Sequence, residues 1–336
     1  MIPKKHIIPV FIPHEGCAHN CVFCDQRIVT NSSSKTSAND VLITAGSHAK
    51  NDYPAELAFY GGSFTALPIK RQNELLSAAQ PFLDDVRSRS IRISTRPDCI
   101  DEETVRRLKE SGVKTIELGV QSMCDDVLNM SRRGHTQKDA VNASRVIKEA
   151  GLALILQMMT GLPGDSSEKS LYTAKKISEL MPDGVRVYPT VILRDTELHK
   201  MWLCGTYHEH ALPEAIETCA NISLLFNKAK IPIIRLGLNP TDTLSAFDVV
   251  GGAYHPAFGD MVYSKILFDK AASLLKGVSP ESNVRISVSK GRTSTMIGQR
   301  RANLVKLTSM YLLRSIKVIE SAENNELFSV SIEIID

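Results

Sequence analysis

Three cysteines lie within eight residues near the start of the chain, spaced as Cys17-x3-Cys21-x2-Cys24. Thiolates are soft ligands, and three of them on one short loop suit either an iron–sulfur cluster or a zinc ion. His14 and His19 lie close enough along the chain to complete a tetrahedral site, so zinc is the alternative. On a four-iron cluster, three cysteines would leave one iron open to a further ligand.

The other four cysteines show no comparable spacing, and we expect them to be buried small apolar residues, with a second cluster as the alternative. They are Cys99, Cys124, Cys204 and Cys219. Three histidines, His199, His208 and His210, could ligate a metal, but a surface loop is the simpler interpretation.

The composition is that of an ordinary globular protein, with 43% apolar and 23% charged residues among 336. No apolar run has the length of a membrane span, and no signal sequence precedes the first strand, so we expect a soluble cytoplasmic protein. Residues 282–319 hold eight Lys or Arg and no Asp or Glu, whereas the remainder is net acidic. This basic segment predicts a polyanionic partner, with a solvated helix face as the alternative.

Apolar runs typical of strands alternate with helical patterns over most of the chain. The runs lie at residues 7–12, 56–60, 91–95, 115–119, 152–158, 184–188 and 231–236. Between them, Thr136 and Asp139 match a capping box, and Asp101 has the position of an N-cap. Repeated strand–helix units predict a parallel sheet that is either doubly wound or curled into a barrel.

The pattern changes after Pro240, and we place a domain boundary near residues 240–250. Beyond it we predict a helix at 260–276, a strand at 283–289, a helix at 299–310, and strands at 315–320 and 327–334. These elements would form a small α+β domain over residues 241–336.

Further short motifs follow the cysteine loop, in which Phe23 precedes the last cysteine. They lie at residues 60–64 (YGGSF), 94–98 (STRPD), 117–122 (ELGVQS), 133–136 (RGHT), 161–164 (GLPG) and 188–190 (YPT). In this order they resemble the radical S-adenosylmethionine superfamily, and in particular the radical domain of the Elongator catalytic subunit. The resemblance covers about residues 8–210 and favours an iron–sulfur cluster over zinc.

The resemblance implies a partial parallel (β/α) barrel of the radical SAM type over residues 1–240. It also implies a [4Fe-4S] cluster on Cys17, Cys21 and Cys24, whose open iron binds S-adenosylmethionine. Reductive cleavage of that cofactor would give a 5′-deoxyadenosyl radical, with an external electron donor and without a general acid or base. We therefore expect no separate catalytic residue. The residues that match cofactor contacts are Phe23, Gly61, Gly62, Ser63, Ser94, Gln121, Arg133 and Gln157.

Each motif lies at or just after the C-terminal end of a predicted strand, where parallel barrels assemble their sites. Gly61 and Gly62 let the backbone approach a ligand closely, and the resemblance implies that they hold the methionine amino group. We expect Gly62→Val to block cofactor binding and to leave the cluster intact. Two motifs have a purely structural alternative: residues 161–164 as a tight turn, and Arg133 with His135 as ordinary residues at a helix N-terminus.

The basic segment resembles the core of a KH RNA-binding domain, in which a GxxG loop joins two helices and clamps the nucleic-acid backbone. Gly298 takes the place of the first glycine and Arg301 that of the second. A generic α+β cap on the barrel is the alternative. We expect RNA, in particular tRNA, as the substrate of a radical enzyme.

Two other functions remain open. One is a radical enzyme for a small molecule or peptide, in which the C-terminal domain is a structural cap. The other is a non-enzymatic iron–sulfur protein that binds RNA. The Elongator subunit also carries a C-terminal acetyltransferase domain, for which this chain leaves little room, so we do not expect acetyl-CoA chemistry.

Overall fold

Seven parallel strands form one curled sheet, which makes half of a barrel. The computed structural model describes residues 6–12, 15–17, 21–25, 36–49, 54–83, 89–238, 248–321 and 326–335. The strands are β1 His6–Phe11, β2 Ala55–Tyr60, β3 Ser90–Thr95, β4 Val113–Gln121, β5 Ala153–Thr160, β6 Gly184–Pro189 and, after the short β7 Val191–Leu193, β8 Ile233–Leu236. Their order in the sheet is β1-β2-β3-β4-β5-β6-β8. This is the predicted partial parallel (β/α) barrel.

Helices connect the strands, as the right-handed crossovers of a parallel sheet require. They are α1 Ala38–Ala49, α2 Ile69–Leu83, α3 Glu102–Glu110, α4 Asp125–Met130, α5 Gln137–Glu149, α6 Ser167–Glu179, α7 Glu197–Leu203 and α8 Leu212–Lys228. A small antiparallel pair joins β7 to β9 Val249–Gly252. Within the described ranges, every helix is too short or too polar to cross a bilayer.

Local sequence signals position these elements. All seven predicted strands are confirmed, with ends that differ by at most two residues. Asp101 caps α3 by accepting a hydrogen bond from the Thr104 amide, and Thr136 with Asp139 forms the predicted capping box of α5. Each cap satisfies amide groups that the first helical turn leaves without a partner.

The barrel strands point apolar side chains outward to the helices and many polar side chains inward. On β2, Leu57 and Phe59 are fully buried beneath the helices, whereas Glu56 and Tyr60 point into the barrel, because successive side chains of a strand face opposite ways. The same alternation places Arg92 of β3 on the inner face. The inner face is therefore unusually polar for a small barrel.

Beyond the barrel, a long helix leads into a three-stranded sheet. The elements of this part of the chain are α9 Phe258–Leu275, β10 Asn283–Val288, α10 Thr293–Ile297, α11 Ala302–Tyr311, β11 Ser315–Glu320 and β12 Val330–Ile335. β10 lies in the centre, parallel to β11 and antiparallel to β12. α9 packs both on α8 and on this sheet, so one hydrophobic core runs through both parts of the chain.

The predicted single helix at 299–310 is wrong at its start. Gly298, Arg300 and Arg301 all have positive φ angles, of 76°, 50° and 64°. Side-chain-bearing residues are strained in this region, and the α-helical ladder cannot run through it. A separate short turn over Gln299–Arg301 therefore precedes α11.

Candidate active site

A cavity of about 600 Å³ lies inside the half-barrel at the carboxyl ends of its strands. Parallel barrels build their sites at this edge because the loops that follow the strands converge there. All the residues predicted to bind the cluster or the cofactor line the cavity: Cys17, Cys21, Phe23, Cys24, Gly61, Gly62, Ser63, Ser94, Gln121, Arg133 and Gln157. The structure thus brings them together, and the ligand that each one contacts remains a prediction.

The cavity extends to the edges of the sheet. β1 and β8 end the strand order and do not pair with each other in the described part of the chain. Ile7, Pro9 and Phe11 of β1 line the cavity together with Ile234 and Leu238 at the β8 edge. The cavity therefore has apolar side chains at both edges of the sheet.

The segment that leads from β1 to the cysteine loop passes in direct backbone contact with the Gly61–Gly62 turn after β2. An added Cβ on Gly62 would lie 2.4 Å from the Glu15 carbonyl oxygen and 2.6 Å from that of Ile12. The Ser63 amide also donates to the Glu15 carbonyl, over 3.0 Å. Gly62 is therefore needed for the passage of the loop itself. This contradicts the expectation that a bulky residue at Gly62 would leave the cluster intact.

Distant parts of the chain hold the cysteine loop in place. The Val22 amide donates to the Ser131 carbonyl over 3.2 Å, and the Leu198 amide donates to the Val22 carbonyl over 2.7 Å. The Val22 side chain is buried among Ile192, Leu198 and Tyr207. The loop is therefore anchored by the end of α4, by β7, and by residues in and after α7.

Ser63 ties the ends of β2 and β3 together. Its buried hydroxyl lies 3.0 Å from the Thr95 hydroxyl and accepts a hydrogen bond from the Arg96 amide over 3.2 Å. Arg96 in turn forms a salt bridge of 2.7 Å with Asp98. These bonds hold the side chain of Ser63 in place, so its contribution to the cavity wall is a fixed one.

Arg133 is buried and reaches the cysteine loop. Its Nη1 donates to Cys21 Sγ over 3.1 Å and its Nη2 to the Gly119 carbonyl over 2.7 Å. Its Nε is buried without a hydrogen-bond partner among the described residues. His135 is buried too, with Nε2 3.1 Å from the Val120 carbonyl. Both residues lie just before the N-terminus of α5 with their side chains buried, and a role of Arg133 in cofactor binding remains a prediction.

The amide side chains of Gln121 and Gln157 lie side by side, with Gln157 Nε2 donating to Gln121 Oε1 over 3.3 Å. Gln121 has a φ of 65° and follows an irregularity in the β4–β5 pairing at Gly119. The bulge turns its side chain into the cavity. This pair offers both a donor and an acceptor to a polar ligand.

The three thiols are held close enough to affect one another. Burial raises the pKa of Cys24 to about 12, with Cys21 and Cys17 adding to the effect. Burial and Cys21 also raise the pKa of Cys17, against the opposing effect of Arg133. Because metals bind cysteine as thiolate, ligation must release protons that the free protein retains.

The donor set fits a cluster. Among the described residues, no three His, Cys, Asp or Glu side chains converge as ligands of a single metal ion. In a four-iron cluster each thiolate binds a separate iron, so three spaced thiols suit it. The supplementary zinc ligands considered above, His14 and His19, lie outside the described residues. The unpaired Nε of Arg133 adds a donor for an anionic group beside the thiols.

A buried ionic network forms the floor of the cavity. Arg92 donates from Nε to Glu56 over 2.8 Å and from Nη1 to Glu117 over 2.6 Å. Arg186 donates from Nη2 to Glu117 over 2.9 Å and to the Tyr60 hydroxyl over 3.0 Å. Burial opposes the charge of Arg186, but Glu117 together with Tyr188 and Tyr60 outweighs it and raises the pKa of the guanidinium. Burial and then Glu117 raise the pKa of the Tyr60 phenol as well.

The sequence reasoning did not identify this network. In the sequence, the network is marked by single charged residues on the inward side of strands that are otherwise mostly apolar. Such residues occur in β2, β3, β4, β6 and β8, as Glu56, Arg92, Glu117, Arg186 and Arg235. A charge inside a buried strand is costly unless it is paired, so the repetition of this pattern predicts partners across neighbouring strands.

The remaining motifs are structural or exposed. Gly161 has a φ of 74° and its amide donates to Asp165 over 2.8 Å, as in the tight turn that was the alternative for residues 161–164. The expectation of buried cysteines holds for Cys219 only. Cys99 and Cys124 are partly exposed, and Cys204 is exposed because it follows the last turn of α7.

Comparison with known proteins identifies two matching family models. The model described as the Radical SAM superfamily matches residues 11–177, and the model described as the Radical_SAM C-terminal domain matches residues 182–267.

Two curated relatives are similar to the first part of the chain. A tRNA uridine(34) acetyltransferase of Methanocaldococcus infernus is 29% identical over 228 residues, which cover 62% of this chain and 42% of the relative. The Elongator complex protein 3 of Mus musculus is 28% identical over 190 residues, which cover 51% of this chain and 35% of the relative. The chain thus spans less than half the length of these relatives.

A solved structure has a similar fold. It is an N-terminally truncated Elp3 of the archaeon Methanocaldococcus infernus, with a TM-score of 0.62 and 22% sequence identity. The superposition covers 87% of this chain and 73% of that chain.

Proposed function

Because this chain belongs to the radical SAM superfamily, whose enzymes use a [4Fe-4S] cluster and S-adenosylmethionine, we propose that it is a radical enzyme that modifies tRNA. Cys17, Cys21 and Cys24 hold the cluster in this proposal. When bound, the cluster and S-adenosylmethionine would supply one-electron radical chemistry directed at a hydrogen atom of the substrate, with the electron from an external donor. The relatives named above are described as acting on tRNA or as an Elongator subunit.

The chain's own residues hold and orient the cofactors. In this proposal the Gly61–Gly62 turn, which lines the cavity, approaches the cofactor with its backbone, while the side of Gly62 where a Cβ would stand faces the Glu15 carbonyl. Arg133 carries an unpaired Nε for an anionic group while its Nη1 fixes Cys21. Ser94 lines the cavity beside the Gln121–Gln157 amide pair, which suits the hydroxyl groups of a ribose.

The observation that carries the RNA part of the proposal is the position of the basic segment. α9 begins where β8 ends, since an added Cβ on Gly237 would lie 3.0 Å from the Cβ of Phe258. Two residues further, Asp260 accepts a hydrogen bond from Thr295 over 3.0 Å. The loop around α10 is therefore fixed to the end of α9 that lies nearest the cavity.

The charges of this segment are available to a partner. Lys290, Arg300, Arg301 and Lys306 are exposed, and none of them has an acidic partner among the described residues. Arg285, by contrast, pairs with Glu333 over 2.7 Å. Contacts from such free cations to phosphates supply most of the affinity for nucleic acid. The KH-like interpretation of residues 241–336 and a cytoplasmic location remain predictions.

Product analysis tests the proposal. The protein, with its cluster reconstituted anaerobically, is incubated with S-adenosylmethionine, dithionite and bulk tRNA, and the digested nucleosides are analysed by mass spectrometry. We expect tRNA to stimulate 5′-deoxyadenosine formation and one nucleoside to change in mass. The Cys24→Ala variant is the control and should give neither product.

If tRNA has no effect while 5′-deoxyadenosine still forms, the substrate is a small molecule or peptide, and the C-terminal domain is a structural cap. If no 5′-deoxyadenosine forms with any addition, the non-enzymatic alternative is correct.

A further inference from the structure

We infer that the wall of the cavity formed by β6 and β8 is a binding site for the anionic oxygen group, a carboxylate or a phosphate, of the molecule that the radical attacks. The site consists of Arg235, Arg186 and the Tyr188 hydroxyl. It does not depend on whether RNA is the substrate.

The two guanidinium groups start from neighbouring positions. Arg186 of β6 and Arg235 of β8 are partners in the parallel register, and both line the cavity. Glu117 neutralises Arg186 over 2.9 Å. Arg235 has no acidic partner among the described residues, so the wall carries one positive charge without an internal counterion. An anion is the occupant that balances it.

The wall also offers hydrogen-bond donors in preference to acceptors. The Tyr188 hydroxyl accepts from Arg186 Nη1 over 3.3 Å, which leaves its own proton free to donate into the cavity. The Nε of Arg186 is buried and has no partner among the described residues. By contrast, the Tyr60 hydroxyl donates to Glu117 and accepts from Arg186, so it has no donor left. A surface of unpaired donors selects acceptor oxygens.

This site is distinct from the one proposed for S-adenosylmethionine. The residues assigned to that cofactor lie on or after β1 to β5, whereas Arg186, Tyr188 and Arg235 lie on β6 and β8. Two anionic groups can therefore be held in one cavity, one by Arg133 beside the thiols and one by Arg235 on the other wall.

The test is equilibrium binding of simple anions to the cluster-loaded protein in the presence of saturating S-adenosylmethionine. Carbon-13 acetate and inorganic phosphate are the probes, followed by NMR line width. We expect saturable binding of at least one probe to the wild type. Arg235→Gln should weaken binding about tenfold or more, because it removes a charged hydrogen bond. Arg235→Lys should weaken binding less, because lysine keeps the positive charge as a point charge.

Arg106→Gln is the matched control, because Arg106 is exposed on α3 and lies outside the cavity. It should bind the probe as the wild type does. Tyr188→Phe removes one donor without changing charge and should weaken binding more modestly. Iron content and circular dichroism of each variant show that it is folded.

Addition of tRNA then identifies the source of the anion. Displacement of the probe by tRNA assigns the site to an RNA phosphate, and simultaneous binding assigns it to a separate small anionic substrate. The inference is overturned if no probe binds saturably once S-adenosylmethionine is present, or if Arg235→Gln binds as tightly as the wild type.

Discussion

The Nη1 of Arg133 lies 3.1 Å from the Sγ of Cys21, so a residue between α4 and α5 contacts the cysteine loop that follows β1. The same guanidinium donates to the Gly119 carbonyl at the end of β4. One side chain thus joins the cysteine loop to the end of β4, which lies beside the residues proposed to bind the cofactor.

Only the clustered cysteines should bind iron. We expect replacement of Cys17, Cys21 or Cys24 by Ala to abolish cluster assembly, because each thiolate binds its own iron. Iron and sulfide analysis after anaerobic reconstitution measures this. Cys219→Ala and Cys204→Ala are the controls, one buried and one exposed, and should retain the wild-type iron content. Stoichiometric zinc without iron uptake would contradict the assignment.

Gly62→Ala should impair both the cluster and cofactor binding. The added Cβ would meet the Glu15 carbonyl at 2.4 Å, and backbone atoms cannot give way without moving the cysteine loop. Iron content and S-adenosylmethionine affinity should therefore fall together. Gly46→Ala in α1 is the control, since its Cβ would meet nothing within 4 Å, and alanine favours a helix. Full iron content in Gly62→Ala would show that the loop adapts.

The buried network should contribute strongly to stability. Glu117→Ala removes the only acid within reach of Arg186 among the described residues, and we expect a loss of about 3–5 kcal/mol in the free energy of unfolding. Glu149→Ala removes an exposed carboxylate 2.5 Å from Arg145 and should cost less than about 1 kcal/mol. Urea unfolding of both variants measures the difference. Equal losses would mean that the buried pairs are not stabilising.

His135 should make stability dependent on pH. Burial, together with Arg133, lowers its pKa to about 4 from 6.5. Between these two values the unfolded chain binds a proton that the folded chain does not. The free energy of unfolding should therefore fall as the pH decreases from about 6.5, by up to about 1.4 kcal/mol per pH unit.

His135→Gln tests this dependence, because glutamine can still donate to the Val120 carbonyl but does not titrate. Asp98 and Arg96 also act on His135 and are unchanged in this variant. Unfolding by urea at about pH 7 and about pH 5.5 should show a smaller pH effect in the variant. An identical pH effect in both proteins would assign it to other groups.

The basic loop should contribute phosphate contacts. Arg300 and Arg301 have left-handed backbones, so Asn, which tolerates this region, is a better replacement than Ala. We expect the double variant to bind tRNA more weakly and the slope of log affinity against log salt to flatten by up to about two units. A double variant of Arg106 and Arg145 to Gln has the same net charge and should keep the wild-type slope. Equal slopes in the two variants would rule out a specific role of the loop.

Local patterns explain what could be predicted from the sequence. The barrel strands are short, mostly apolar runs, and the caps at Asp101 and Thr136 involve residues only three positions apart. Both kinds of signal are contained within a short window. The cofactor-site residues could be named in advance because ordered motifs carried them.

The other features depend on which strands become neighbours. Arg92 and Glu56 are 36 residues apart, and Arg133 and Cys21 are 112 apart. No local pattern reveals such pairs before the sheet order is known. The break before α11 was missed for a different reason: left-handed conformations at two arginines go against the preference of that residue type.

The anchoring of the cysteine loop sets an order of events during biosynthesis. The three thiols are synthesised well before Ser131 and Leu198, whose backbone groups bond the amide and the carbonyl of Val22 in the middle of the loop. Until Leu198 has been made, nascent chains carry the ligands without the full set of contacts that positions them. Metal insertion into a correctly shaped loop therefore waits for nearly the whole barrel, and a nascent chain stalled before α7 exposes reactive thiols to the cell.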